Sequence, residues 1–363
     1  MRILHCIPTL AGGGAERQLA LLGPELVAAG HDVHVVLLHG GTHLQTLDRG
    51  GVKIHMLPSR GPHDPRSTVS IARLIRRLRP DVVQTWLVQM DVWGGLAAMF
   101  CRVPWVLSER SSAAAYPRST KIAIRRWLGR YAAAIVANSR GGLDYWKRSG
   151  NGALRTVIAN ALDFGLLEAA RPCVELPADA RLILYVGRLS EEKNLETIFP
   201  AVVPVLAERP DTYFAICGEG PLEAQVRALA AGSGAGDRIL INGFVPEIWN
   251  WMRRADVLIS LSRFEGNPNA VVEALALGCP VVLSDIAAHR ELADERSAML
   301  VDGSSAPEAE RALRATLDDR AAALVRAEEG RRSVAGRSIR AVAEQYVGIY
   351  EKVNVDENPL FVQ

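Results

Sequence analysis

Two carboxylates and two cations stand out, because they cluster where the chain leaves a buried strand and enters a helix: three in such loops and one carboxylate in the helix that follows. Glu265 and Glu273 lie eight residues apart in RFEGNPNAVVEALALGCPVVLSD, residues 263–285. In that stretch Asn267 reads as an N-cap, Pro268 as the first helical residue, Gly278 as a left-handed exit and Pro280 as a stop. Ala270, Val271, Ala274, Leu275 and Leu277 give the helix an apolar face, and PVVLS reads as a buried strand. The loop from Phe264 to Asn267 therefore leads into unsatisfied backbone N–H groups at a positive helix end, a seat for a phosphate or a polar ring. Glu265 sits in the loop, and Glu273 lies about a turn and a half up the helix.

The cations are Arg188 and Lys193 in LILYVGRLSEEKNLE. They follow a strand on the loop into a helix, an arrangement that suits a diphosphate, with arginine as a fork and lysine as a point charge. Two solvated surface charges are the alternative. Gly218-Glu219-Gly220-Pro221 repeats the strand-to-glycine turn, and INGFVP, residues 241–246, offers an apolar wall with open backbone on which a flat base can lie. At the front of the chain Gly12 to Arg17 is a glycine turn opening a helix, where backbone can approach a ligand closely. Its spacing is not G-x-G-x-x-G, and the second strand ends in LLHGG without a ribose-binding acid, so no nicotinamide cofactor is expected. A tight turn without a ligand is the alternative there.

Such residues need strand ends to hold them. Short apolar runs alternate with helical patterns from the first residue, and a second alternating series begins after a break in period at LLEAARPCVELPADA. Two series imply an α/β chain of two doubly wound domains with parallel sheets, and ligands at the carboxyl ends of their strands, in a cleft between the domains. The expected division is residues 1–165, a linker at 166–180, a second domain at 181–336, a C-terminal helix at 337–353 and a tail at 354–363. A length of 363 residues fits two cores better than one. With 49% hydrophobic and 23% charged residues the composition is that of a soluble globular protein. No apolar run is long enough to span a bilayer, and the start lacks a signal-peptide cleavage pattern. The five cysteines are scattered without metal spacing and read as reduced, packed residues of a cytosolic protein.

Charge is lopsided: residues 1–165 carry a net +11 and the remainder −9. A basic front half calls for an anionic partner, either phospholipid or a lipid-linked phosphate. Nucleic acid is disfavoured, since there is no recognition helix, zinc spacing or aromatic–basic strand motif.

Taken in order, GGGAER, VGRLSEEKN, GEGPLE and FEGNPNAVVEALALGCPVV resemble the retaining GT-B glycosyltransferases of family 4, and Glu265 to Glu273 fits that family's E-x7-E motif. The resemblance covers nearly the whole chain. It implies GT-B architecture: two Rossmann-like domains facing a central cleft, with the C-terminal helix returning to the N-terminal domain. It also implies transfer of a sugar from a nucleotide-sugar donor, with a UDP-sugar favoured, to a lipid-linked or other glycan acceptor in cell-envelope or exopolysaccharide synthesis. Under it Arg188 and Lys193 hold the diphosphate, Glu273 accepts from the ribose hydroxyls, and Glu265 lies beside the donor sugar. The backbone of Gly266, Asn267, Pro268 and Asn269 surrounds sugar and distal phosphate, Asn242, Gly243 and Phe244 wall the base, and Gly13, Gly14 and Gly218 complete the donor site. The family uses no metal and no cofactor beyond its nucleotide-sugar substrate; this sequence contains no Asp-x-Asp pair. Glu265 and Glu273 fall on one side of the ligand, unlike the facing carboxylates of a retaining glycosidase. Same-face attack, with the leaving phosphate helping to deprotonate the acceptor, is what the family implies.

The front half departs from the pattern. Many members carry a histidine after the fourth strand, where this chain has QTWLVQMDVWGG and then LSERSS. Gln89, Asp91 and Glu109 stand open as the group that assists the reaction there. Seven of the eight histidines lie in residues 1–63 and read as packed or solvated, and His289 reads as surface. Two basic stretches, Arg73–Arg79 and Lys121–Arg130, read as helices. In the second, Ile124, Trp127, Leu128 and Tyr131 form a stripe flanked by Lys121, Arg125 and Arg130, as in a helix lying in a membrane interface. Packing of that stripe on the sheet is the alternative. The reading is thus a cytoplasmic enzyme docking on the inner face of the plasma membrane. A nucleotide-sugar epimerase of the same fold is the competing enzyme; it needs catalytic groups facing each other and no basic front.

Overall fold

In the computed structural model, residues 1–355 are described apart from 60, 62, 63, 148–152, 173–175 and 178. The chain divides into two compact units, residues 1–161 with 337–363, and residues 162–336. The first unit begins with β1 (Arg2–Cys6), α1 (Gly14–Ala28), β2 (Asp32–Leu37), α2 (Leu44–Arg49), β3 (Lys53–Met56) and α3 (Arg66–Leu78). It continues through β4 (Val82–Trp86), α4 (Leu87–Cys101), β5 (Trp105–Glu109), α5 (Thr120–Leu128), β6 (Ala134–Ala137), α6 (Arg140–Trp146) and β7 (Leu154–Val157). All strand pairs are parallel, in the order β3-β2-β1-β4-β5-β6-β7. Buried strand residues alternate between two cores, as a period of two requires. Ile3, Val35, Val82 and Val106 pack with α1 on one face, while Leu4, Val36, Val83 and Leu107 pack with α3 and α4 on the other.

The second unit holds α7 (Phe164–Ala169), β8 (Arg181–Val186), α8 (Leu195–Glu208), β9 (Thr212–Cys217), α9 (Glu223–Gly232), β10 (Ile239–Gly243) and α10 (Ile248–Arg254). After these come β11 (Val257–Ser260), α11 (Asn269–Ala276), β12 (Val281–Ser284), α12 (Ala287–Arg290), β13 (Met299–Val301), α13 (Ala306–Asp318) and α14 (Arg320–Ser333). Its sheet is parallel in the order β10-β9-β8-β11-β12-β13. In both sheets the strand order reverses beside the first strand of the unit, which is where such sheets open a crevice for ligands.

The last helix, α15 (Ile339–Val355), belongs to the first unit. Val342, Ala343, Tyr346, Ile349, Tyr350 and Val353 bury one face in its core, and the Tyr350 hydroxyl donates to Gln84 Oε1. The segment expected to be a linker needs correction at its start. Residues 164–169 are helical, capped by Asp163 through Leu166 N–H, and Leu167 is buried in the second unit's core. That part packs through Leu167, while the adjacent Leu166 stays exposed. Cys6, Cys101, Cys217 and Cys279 carry free thiols, while Cys173 lies outside the described residues. Burial pushes Cys217 up to about 11 and Cys279 up to about 12, so both are inert thiols. Among the described residues no helix is long and apolar enough to cross a membrane.

Candidate active site

In the second unit the residues singled out by sequence converge on the carboxyl ends of β8, β9, β10 and β11. Past β8 the chain makes a turn through Arg188, held by the Tyr185 hydroxyl donating to the Arg188 carbonyl at 2.9 Å. A short 3-10 turn, Glu191–Lys193, then precedes α8. Lys193 Nζ lies 2.5 Å from Glu265 Oε1, and Ser262 Oγ donates to the same oxygen at 2.8 Å. Both partners are largely sheltered, the side chains of Lys193 and Glu265 being 22% and 13% exposed. Arg188 is exposed and pairs with no carboxylate among the described residues. The structure thus brings a sheltered cation–carboxylate pair together seventy-two residues apart in sequence, with Arg188 on the turn that leads to Lys193.

The glutamate helix starts one residue later than the sequence suggests. Pro268 is the N-cap of α11 and Asn269 its first residue, with no side-chain cap bond. Proline fits here because its restricted φ suits the extended cap and no cap N–H is needed. Val272 N–H is the first to reach back, to Pro268 O, so the amides of Ala270 and Val271 precede the first intrahelical bond at the end where the dipole is positive. The exit is as expected: Gly278 has φ +67°, Cys279 N–H reaches Ala274 O and Gly278 N–H reaches Leu275 O, the paired bonds of a Schellman end. Glu273 is buried on this helix, only 5% exposed.

At the adjoining strand ends Gly187 N–H bonds Cys217 O, Leu189 N–H bonds Glu219 O, and Gly218 N–H bonds Gly243 O. A Cβ on Gly218 would come within 1.9 Å of Gly187 O, so close packing of two loops already demands glycine there. Phe244 is 59% exposed and its N–H reaches Glu219 Oε1 at 3.3 Å. His289 is not a surface residue: it is fully buried, and burial lowers its pKa. Its Nδ1–H donates to Ser284 O at 2.8 Å, and Ser284 Oγ in turn donates to Ser262 O at 2.6 Å. Sequence reading missed Ser262, Ser284 and His289, whose roles depend on contacts between separate strand ends.

In the first unit the glycine turn does open α1, with Gly13 at the N-cap and Gly14 the first helical residue. The Glu16 carboxylate lies over it; a Cβ on Gly13 would fall 2.4 Å from Glu16 Oε2. Burial raises the Glu16 pKa. An anion approaching this helix end meets that carboxylate first. Gln89 is half-buried in the first turn of α4.

Glu109 and Asp91 require correction, since neither has exposed surface. Arg125 reaches Asp91 through Nε at 2.7 Å and Glu109 through Nη1 at 2.9 Å. Trp146 Nε1 donates to Glu109 Oε2 at 2.9 Å, Ser111 N–H and the Tyr116 hydroxyl donate to Oε1, and Thr85 Oγ1 donates to Asp91. These carboxylates hold the interior of the unit together instead of facing a substrate. Arg125 is likewise buried and not a flanking charge, with the rings of Tyr116 and Trp146 about 5 Å from its guanidinium. The apolar stripe of α5 also splits. Leu128 packs inward, whereas Ile124 and Trp127 are exposed beside Arg126.

Two parallel Rossmann-like sheets and a glutamate helix facing a lysine turn define the class as a GT-B glycosyltransferase. The family description "Glycosyl transferases group 1" matches residues 168–333, and "Glycosyltransferase Family 4" matches residues 12–165. The chain belongs to this group 1 and family 4 set of glycosyltransferase enzymes. It is 24% identical over 336 residues, 86% of this chain and 89% of the relative, to the N-acetylgalactosamine-N,N'-diacetylbacillosaminyl-diphospho-undecaprenol 4-alpha-N-acetylgalactosaminyltransferase of Campylobacter jejuni. The lipopolysaccharide core biosynthesis glycosyltransferase LpsE of Rhizobium meliloti is 25% identical over 345 residues, covering 92% and 95% of the two chains. Anabaena HepE, solved in complex with UDP-glucose, superposes with a TM-score of 0.85 at 18% identity over 97% of this chain and 100% of its own, a likeness of fold.

Proposed function

We propose that this glycosyltransferase takes a UDP-sugar and, with retention at the anomeric carbon and without a metal ion, transfers the sugar to a lipid-linked glycan of envelope or exopolysaccharide synthesis. The observation that carries the donor reading is the pair Lys193–Glu265, 2.5 Å apart, with Arg188 exposed on the turn that leads to Lys193. Cations and open amides stabilise the charge that grows on a departing diphosphate. In this reading Lys193 and Arg188 hold the diphosphate, Glu265 lies beside the sugar with the backbone of Gly266, Asn267, Pro268 and Asn269, and Glu273 accepts from the ribose. Gly243 and Phe244 wall the base, and Gly218 shapes the turn beneath it. The leaving phosphate helps deprotonate the attacking hydroxyl. Gln89, Gly13 and Gly14 are the candidates for a part in the reaction on the first unit. The acceptor class follows the relatives, one of which acts on a diphospho-undecaprenol glycan.

A panel of nucleotide sugars, scored for nucleotide release with and without polyprenyl-linked acceptors, tests this reading. A UDP-sugar is expected to be consumed with formation of lipid-linked product, at a rate unchanged by EDTA. Interconversion of the sugar without transfer would point to the epimerase, and loss of the rate in EDTA restored by Mg²⁺ would reject the metal-free step.

We further infer that α5 and α3 rest on an anionic bilayer from the cytoplasmic side. Trp127 is 53% exposed and Ile124 44%, with Arg126 and Arg130 exposed around them, and α3 presents Arg73, Arg76 and Arg77. A basic helix with exposed tryptophan gains from both lipid charge and apolar burial. Flotation with vesicles containing phosphatidylglycerol is expected to carry the wild-type chain and to lose most of it for the variant Arg126→Glu with Trp127→Ala. Equal flotation of the two would remove α5 from the contact.

A further inference from the structure

Asn194 closes the VGRLSEEKN stretch directly after Lys193 and was given no role by the sequence, yet its conformation and contacts are unusual together. Its φ of +60° is left-handed, a region that few residues other than glycine occupy and that asparagine tolerates best among the rest. It is only 3% exposed. Its Nδ2 donates to Leu261 O at 3.1 Å and to Gly303 O at 2.7 Å, and its Oδ1 accepts from Thr197 Oγ1 at 2.9 Å. Two carbonyls on one side of the amide demand a nitrogen there, so the amide orientation is fixed by its partners. One side chain therefore ties the turn carrying Lys193 to the end of β11, three residues before the loop of Glu265, and to the loop after β13. Arg263 N–H donating to Glu192 O at 2.8 Å runs alongside as a backbone link.

We propose that Asn194 is a positioning residue that locks the lysine turn to the glutamate loop, so that Lys193 and Glu265 meet the diphosphate of the nucleotide sugar as one preset unit. The inference rests on the reading of Lys193 as a diphosphate ligand. Glycine reproduces the left-handed backbone but leaves the Leu261 and Gly303 carbonyls without a donor. Aspartate keeps the shape and tolerates the φ, but turns a carboxylate oxygen toward those two carbonyls. The substitution closest in shape is thus the more damaging one, an order that neither backbone strain nor lost volume produces.

The test uses the full chain and, among UDP, GDP, ADP, CDP and dTDP, the diphosphate that binds the wild type most tightly, with its monophosphate as control. Calorimetry is expected to show Kd for the diphosphate rising about tenfold in Asn194→Gly, as for one to two lost hydrogen bonds, with the monophosphate within about twofold of wild type. Asn194→Asp is expected to lose more, and melting curves correct each variant for its folded fraction. Equal losses for monophosphate and diphosphate reduce Asn194 to general scaffolding and overturn the proposal. So does wild-type diphosphate affinity in both variants when Lys193→Ala binds weakly, which leaves the donor reading intact. Undiminished affinity in Lys193→Ala, or no diphosphate binding by the wild type, overturns the donor reading and the proposal with it.

Discussion

Glu265→Gln lowers the rate of sugar transfer by about two to three orders of magnitude, the scale on which one preorganised electrostatic contact to a reacting centre counts. The physical reason is local. Glu265 Oε1 receives both Lys193 Nζ and Ser262 Oγ in a site where neither ion is well hydrated. Glutamine keeps the shape and can still accept from Ser262, so the loop stays in place, but the negative charge that sets the ammonium is gone. Lys193 is then free to follow the diphosphate, and donor affinity falls less than turnover. Initial rates at saturating donor and acceptor, set beside a melting curve, decide it. A variant within a factor of about three of wild type would remove Glu265 from the reacting centre.

The second large effect concerns stability. Arg125→Met destabilises the first unit by about 3–5 kcal/mol, because it strands two buried carboxylates rather than one. Asp91 and Glu109 have no exposed surface, and Arg125 is their shared cation at 2.7 and 2.9 Å. Arg126→Met, one residue along the same helix and exposed, changes stability by less than about 0.5 kcal/mol. Urea unfolding of the two variants makes the comparison, and an Arg125→Met transition within about 1 kcal/mol of wild type would mean that the network contributes little. Restoring neutrality with Asp91→Asn and Glu109→Gln in the Arg125→Met background recovers part of the loss, since each amide needs fewer charged partners than the carboxylate it replaces.

Arg125 also shows where sequence stops informing. The alternation of strands and helices, the order of the glycine turns and the exit of α11 at Gly278 were legible, because each is written in neighbouring residues. Glu265, Arg188 and Lys193 were legible as candidates because strand-to-helix loops collect ligands, and Glu273 because it lies on the helix that one of those loops enters. A buried arginine, by contrast, has the same helical spacing as a solvated one. Its partners lie sixteen and thirty-four residues away, and only the packed unit reveals them. His289 and Asn194 failed for the same reason, Asn194 meeting Leu261 and Gly303 from 67 and 109 residues away. An asparagine directly before an apolar helix reads as an ordinary N-cap in extended backbone, so its left-handed φ was not legible either.

The attachment of α15 to the first unit sets an order for biosynthesis. Residues 162–336 are continuous and can finish their core while the ribosome is still adding later residues. Residues 1–161, although made first, lack the face supplied by Val342, Tyr346 and Tyr350 until those have emerged. The earliest-made half is therefore the last to close, and its unfinished apolar surface is what a nascent-chain chaperone would shield.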